Sequence, residues 1–249
     1  MIKAILTFSQ DTIIISNDEN MPVPFSEALI NDSISYLSDE NGRLIINKNF
    51  IHKIEIFNDT YSDTIFLINK IPKKVFFQNR KIFLDEIVIH PKNVNSELKR
   101  MSFGKKKGSF KFISGIQIIT QIESKNTINI EGVNLFYKKG IEDGVVKISF
   151  FSDKNGIPGE IIYTQNSQLK KGKIMLDQPF ICKDKIYIGF SWLGSPNTLN
   201  NNEFLAEFQG MEIMNQNPVF LKSENDVSFI KQEKLFSFVR FELLYSSFL

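Results

Sequence analysis

The chain has 249 residues, 42% hydrophobic and 23% charged, with thirty Lys and Arg against twenty-eight Asp and Glu. That is apolar enough for a packed core and too apolar for a disordered chain, and its net charge of +2 is too balanced for an obligate nucleic-acid binder. One Cys and two His exclude an intrachain disulfide and a cysteine or histidine metal cage, so no metal or other cofactor is expected.

The start has one early Lys, then a short apolar run of about five residues, and then small polar residues before Gln10. That is the order of a secretory signal peptide, but its apolar core falls below the roughly seven residues such a signal needs. Two readings stay open: residues 1–10 are the tail of an export signal, or Met1 opens a first strand. No stretch reaches the roughly 18 apolar residues of a membrane-spanning helix.

From residue 11 onward the pattern is β: short runs of Ile, Phe, Val and Tyr alternate with polar residues. Strands are predicted at Thr12–Ile15, Ser33–Leu37, Arg43–Ile46, Lys53–Phe57, Asp63–Ile68, Lys74–Gln78 and Lys81–His90. Asn41-Gly42 predicts a tight hairpin between the second and third of these. Ser26–Leu29 and Pro91–Arg100 could each form a turn or two of helix. Residues 91–108 hold six basic residues and few apolar ones, and read as a basic linker between domains.

Beyond it, strands are predicted at Ser109–Ser114, Gly115–Glu123, Thr127–Tyr137 and Val145–Phe151. The turn signal Ser152 to Gly159 follows. Further strands are predicted at Ile161–Thr164, Lys173–Leu176, Lys185–Trp192, Phe204–Phe208, Val219–Leu221 and Phe236–Tyr245. Strands spaced by about ten residues with turns between them predict an all-β chain of two β-sandwich domains, 11–90 and 109–249, the second jelly-roll-like.

The motifs for chemistry are weak. Gly189-Phe190-Ser191-Trp192-Leu193-Gly194 lacks the spacing of a nucleophile elbow. Gly104-Lys105-Lys106-Lys107-Gly108-Ser109 lacks the spacing of a phosphate loop and reads as a basic turn that could touch an anionic surface. Asp153-Lys154-Asn155-Gly156 has Ile162 where a calcium loop needs Glu. His52 and His90 have no ligand-type neighbours in sequence, and Asp85 and Glu86 point to opposite faces of a strand.

Trp192 lies beside a loop rich in Asn, so Trp192, Asn197 and Asn200 form a speculative binding set for a glycan by stacking and hydrogen bonding. The period of two set by Ile186, Ile188 and Phe190 instead continues Trp192 into the core.

Pro22-Val23-Pro24-Phe25, with the strand, turn and strand from Ile34 through Ser38–Gly42 to Leu44, resembles the carboxypeptidase regulatory-like family. The resemblance covers roughly residues 11–78. It implies a transthyretin-like β-sandwich without catalytic activity. Phe83 to Ile89 resembles the short strand that often follows this domain in outer-membrane proteins of Gram-negative bacteria. The roughly 160 residues after His90 are fewer than the 22-stranded barrel of a transport receptor requires. The segments Val145–Glu160 and Lys185–Trp192 resemble a less characterised sandwich found after such domains.

Together these features predict a non-catalytic accessory or scaffold protein of the Gram-negative cell envelope, periplasmic or outer-membrane-associated. Its expected partners are outer-membrane or periplasmic proteins, with no nucleic acid and no membrane-spanning segment. The alternative is a carbohydrate-binding or adhesive module. A third reading is an enzyme on a jelly-roll scaffold.

Overall fold

The structure is a computed structural model. It describes residues 10–47, 51–58, 61, 64–67, 71–77, 97–112, 115–138, 141, 143–196, 206–212, 218–223, 228–232 and 237–247. Residues 1–9, the predicted strand Lys81–His90, Asn197 and Asn200 lie outside that set. The regular elements among the described residues are strands, apart from one 3-10 turn at Lys170–Gly172. The chain divides into two compact units, Met1–Lys81 with Ser195–Asn201, and Ile82–Gly194 with Asn202–Leu249.

The first unit holds β1 (Gln10–Asn17), β2 (Glu27–Ile30), β3 (Ile34–Leu37), β4 (Arg43–Asn47), β5 (Lys53–Phe57), β6 (Thr64–Leu67) and β7 (Lys74–Phe77). They form a three-stranded sheet, β4-β1-β7, and a four-stranded sheet, β3-β2-β5-β6. β1 and β7 run parallel. Alternate apolar residues point inward from both sheets, among them Ile13 and Ile15 of β1, Leu44 and Ile46 of β4, and Ile54 and Ile56 of β5.

Two local predictions are corrected here. Ser26–Leu29 is not helical: β2 pairs with β3 on one side and β5 on the other. Its side chains follow a strand period, with Ala28 and Ile30 in the core. The Asn41-Gly42 turn does not close a tight hairpin, because β3 and β4 belong to different sheets. Gly42 takes a φ of 68° at this corner. The Asp39 carboxylate holds it by accepting from the N–H groups of Asn41 (2.9 Å) and Arg43 (2.8 Å).

The second unit opens with β8 (Lys99–Ser102), β9 (Lys106–Phe112), β10 (Ile116–Leu135), β11 (Val145–Lys154), β12 (Ile157–Gln168) and β13 (Lys173–Gly194). It continues with β14 (Ala206–Glu212), β15 (Val219–Ser223), β16 (Ile230–Gln232), β17 (Ser237–Val239) and β18 (Phe241–Ser247). Eight strands form one sheet in the order β12-β11-β13-β10-β15-β16, with β18 also on β10 and β8 on β18. Three more form the sheet β17-β14-β9. A single apolar cluster draws side chains from both sheets, including Phe112, Ile148, Phe190, Phe208 and Phe238.

The stretch 91–108 is not wholly a linker. Lys99–Ser102 pairs with β18, and Lys106 onward pairs with β14. Its composition hides this, because the backbone ladder is supplied by strands more than a hundred residues away. β10 and β13 are each longer than predicted. The polar breaks at Ser124–Ile128 and Ile130–Gly132 are register shifts within one ladder rather than strand ends.

Candidate functional site

Trp192 is 1% exposed and lies in the second unit's core. Its ring meets Phe208 edge-on, with centroids 6.1 Å apart. Gly144 lies against the six-membered ring, so close that a Cβ there would overlap the indole. The speculative glycan set therefore loses its aromatic platform, because a ring enclosed on its strand cannot stack on a sugar. Asn197 and Asn200 lie outside the described residues. The same strand carries the elbow-like Gly189–Gly194. The strand runs through those residues with Ser191 buried, so this is a core strand.

Part of the opposite face of the large sheet is buried too. It carries Ile119, Phe151, Tyr187 and Phe220 as a small apolar cluster. Beside them runs a polar row. Gln117 Nε2 donates to Ser149 Oγ at 2.9 Å, and Ser149 Oγ lies 3.2 Å from Thr164 Oγ1. Gly189 stands opposite Ser149 and Ile119 in register, and its missing side chain leaves room for Gln117 to reach across. Lys147, only 8% exposed, stands opposite Asn166 and Ser191. The hydrogen bonds joining Gln117, Ser149 and Thr164 offset the desolvation of those side chains, whereas Ser191 Oγ is buried without a hydrogen-bond partner among the described residues.

The β11–β12 hairpin turns at Asn155-Gly156, with φ of 57° and 84°. Asp153 is held by two hydrogen bonds. Its Oδ1 accepts from Gly156 N at 3.2 Å and from Tyr187 OH at 3.0 Å. Burial, followed by the Asp153 hydrogen bond and charge, pushes the Tyr187 phenol far above its ordinary value. Burial likewise raises Tyr163 to about 12 and the only thiol, Cys182, to about 11. Cys182 is 2% exposed, so it is a core residue rather than a nucleophile. Among the described residues no group of three or more His, Cys, Asp and Glu could hold a metal ion. His52 is exposed, and its backbone N–H donates to Asn31 Oδ1.

The edges of the sheets differ in how far they are covered. β12 pairs with β11, and its Tyr163 and Gln165 side chains clasp the N–H of Asp177. β16 is only three residues long. β9 is an open edge. Among the described residues it hydrogen-bonds to β14 alone, and Lys106, Lys107, Gly108 and Ser109 are exposed in succession. Phe110 and Phe112 anchor it in the core, while Ser109 and Lys111 share the outer face, and a register shift lies between Ser109 and Lys106.

The glutamates of β14 answer part of this charge. Lys107 Nζ lies 2.9 Å from Glu212, and Lys138 Nζ lies 2.5 Å from Glu207. The Lys138 and Ser109 hydrogen bonds, helped by Lys111, hold the Glu207 carboxyl below its ordinary value. Lys105 and Lys106 make no ion pair among the described residues. Composition marked this segment as basic; only the pairing with β14 shows it to be a strand edge. No family model, curated protein or solved structure matches this chain.

Proposed function

We propose that the protein is a non-catalytic accessory or scaffold subunit of an outer-membrane-associated complex in the cell envelope of a Gram-negative bacterium. The observation that carries its interaction role is the open edge of β9, a strand anchored by two core phenylalanines and left exposed along its outer half. An edge of this kind offers a row of backbone donors and acceptors to another chain. The resemblance of residues 11–78 to carboxypeptidase regulatory-like domains supports the envelope setting. So does the export-like order of residues 1–10. The exclusion of Trp192 from the surface weighs against the sugar-binding alternative.

The test is a pull-down of the tagged chain from gently solubilised native membranes, read by mass spectrometry. Recovery in fixed proportion with outer-membrane proteins is the expected result. Recovery alone from the soluble fraction would overturn the reading.

A further inference from the structure

We propose that the outer edge of β9 accepts an extended acidic segment of a partner protein as an added strand, its carboxylates matched by Lys105, Lys106, Lys107 and Lys111. This rests on the interaction role proposed above and names the partner's chemistry.

Three observations carry it. First, β9 has a strand on one side only among the described residues, so its other side presents unpaired main-chain groups at the roughly 4.8 Å spacing of a new neighbour. Second, the charge on this edge is one-signed. Glu212 and Glu207 lie on β14, behind β9, and already engage Lys107 and Lys138. Third, the lysines are distributed as a strand partner needs. Lys111 shares the outer face with Ser109, and beyond the register shift the consecutive Lys106 and Lys107 point to opposite sides of the strand. A flat lipid surface would meet only one of those faces. An acidic strand with carboxylates on both faces meets all of them.

The same lysines decide against self-association. A second copy docking edge to edge would set lysine against lysine, which is how natural edge strands repel their own kind. Like charge rejects the copy and opposite charge admits the partner, so one device supplies both halves of the specificity.

The experiment uses the full chain and a fluorescein-labelled peptide of about ten residues repeating Glu-Glu-Val, which sets carboxylates on both faces of a strand, followed by anisotropy at low and high salt. Saturable binding is expected, with the affinity falling about tenfold in K105Q/K106Q. Hydrogen exchange should slow in Lys106–Phe112 when the peptide is bound. The reversal K105E/K106E should lose the acidic peptide and gain one repeating Lys-Lys-Val. The proposal is overturned if the acidic peptide does not bind, if binding leaves β9 exchange unchanged, or if the variants bind like the parent. Binding to phosphatidylserine vesicles in place of the peptide would also overturn it. The membrane pull-down repeated with K105E/K106E separates the two claims. Partners still recovered would leave the scaffold reading intact and refute the β9 assignment. No partner recovered by the parent chain would refute the scaffold reading itself.

Discussion

A methyl group on Gly144 would collide with the Trp192 ring, so this glycine is fixed by space rather than by backbone conformation. Gly144→Ala should destabilise the second unit by about 1–3 kcal/mol through overpacking, and Trp192→Leu in the same chain should relieve part of that loss. Denaturant melts of the two single variants and the double check both statements. Because Trp192 is the only tryptophan, its emission reports this core alone. It should be blue-shifted and insensitive to iodide in the native state. The alternation Ile186, Ile188, Phe190 had already directed Trp192 inward, against the hint from the Asn-rich loop. Alternation prevails because a large ring repays burial on a strand whose inner face is otherwise apolar. Cys182 and Tyr163 make the residue scale visible in pH. Both have folded values raised above their ordinary ones, to about 11 and about 12, chiefly by burial. Their contribution to stability is therefore whole below about pH 9, the ordinary thiol value, and is lost as pH rises through the raised ones. Unfolding midpoints should hold steady from neutrality to about pH 9 and then fall, and Cys182→Ala should flatten the first part of that fall.

At the scale of elements, the Asn155-Gly156 turn shows how much a short signal can fix. Lys154 pairs with Ile157 across it, so two residues with positive φ close the hairpin, as their sequence predicts. A Cβ on Gly156 would meet nothing, so Gly156→Ala tests backbone conformation alone. It should cost about 1 kcal/mol, read as a shift in the denaturant midpoint. The Asn41-Gly42 pair carries the same letters and gave a wrong hairpin. There Gly42 packs against the Ile15 and Val23 backbone, and the turn joins two sheets. Local sequence specifies the turn angles; the partner of the next strand is decided by tertiary pairing. The same limit explains β8 and β9. Strand periodicity is legible where an inward face is apolar, as in β11 and β13. It is invisible where Lys99–Ser102 and Lys105–Ser109 borrow their ladders from β18 and β14. β2 was misread for a related reason: four residues hold too few turns of any period to separate helix from strand, and its two flanking strands decide.

At the scale of the whole molecule, the second unit is closed by strands from its two ends. β18 lies between β10 and β8, so residues 241–247 join segments that begin near residues 99 and 128. Phe241, Leu243 and Leu244 of that strand are buried. Burying three such side chains is worth about 5–9 kcal/mol, a sum comparable with the entire stability of an ordinary domain. Deleting residues 241–249 should therefore unfold this unit rather than trim it. The readout is the Trp192 emission, which should shift red and become open to iodide in the absence of denaturant. A deletion chain that kept its blue emission would show that β10 and β13, each 20 residues or more, hold the core without β18. Closure by distant segments also sets the pace of folding. The β11–β12 hairpin needs only neighbouring residues, while β9 on β14 and β8 on β18 must close loops of about a hundred residues and more. Refolding should show early protection in β11 and β12. Protection of β9 and β18 should follow more slowly, on a scale of milliseconds to seconds. Pulsed hydrogen exchange orders these events directly. Protection appearing first in β9 would mean that the lysine-bearing edge nucleates the unit, and its exposure could not then be reserved for a partner.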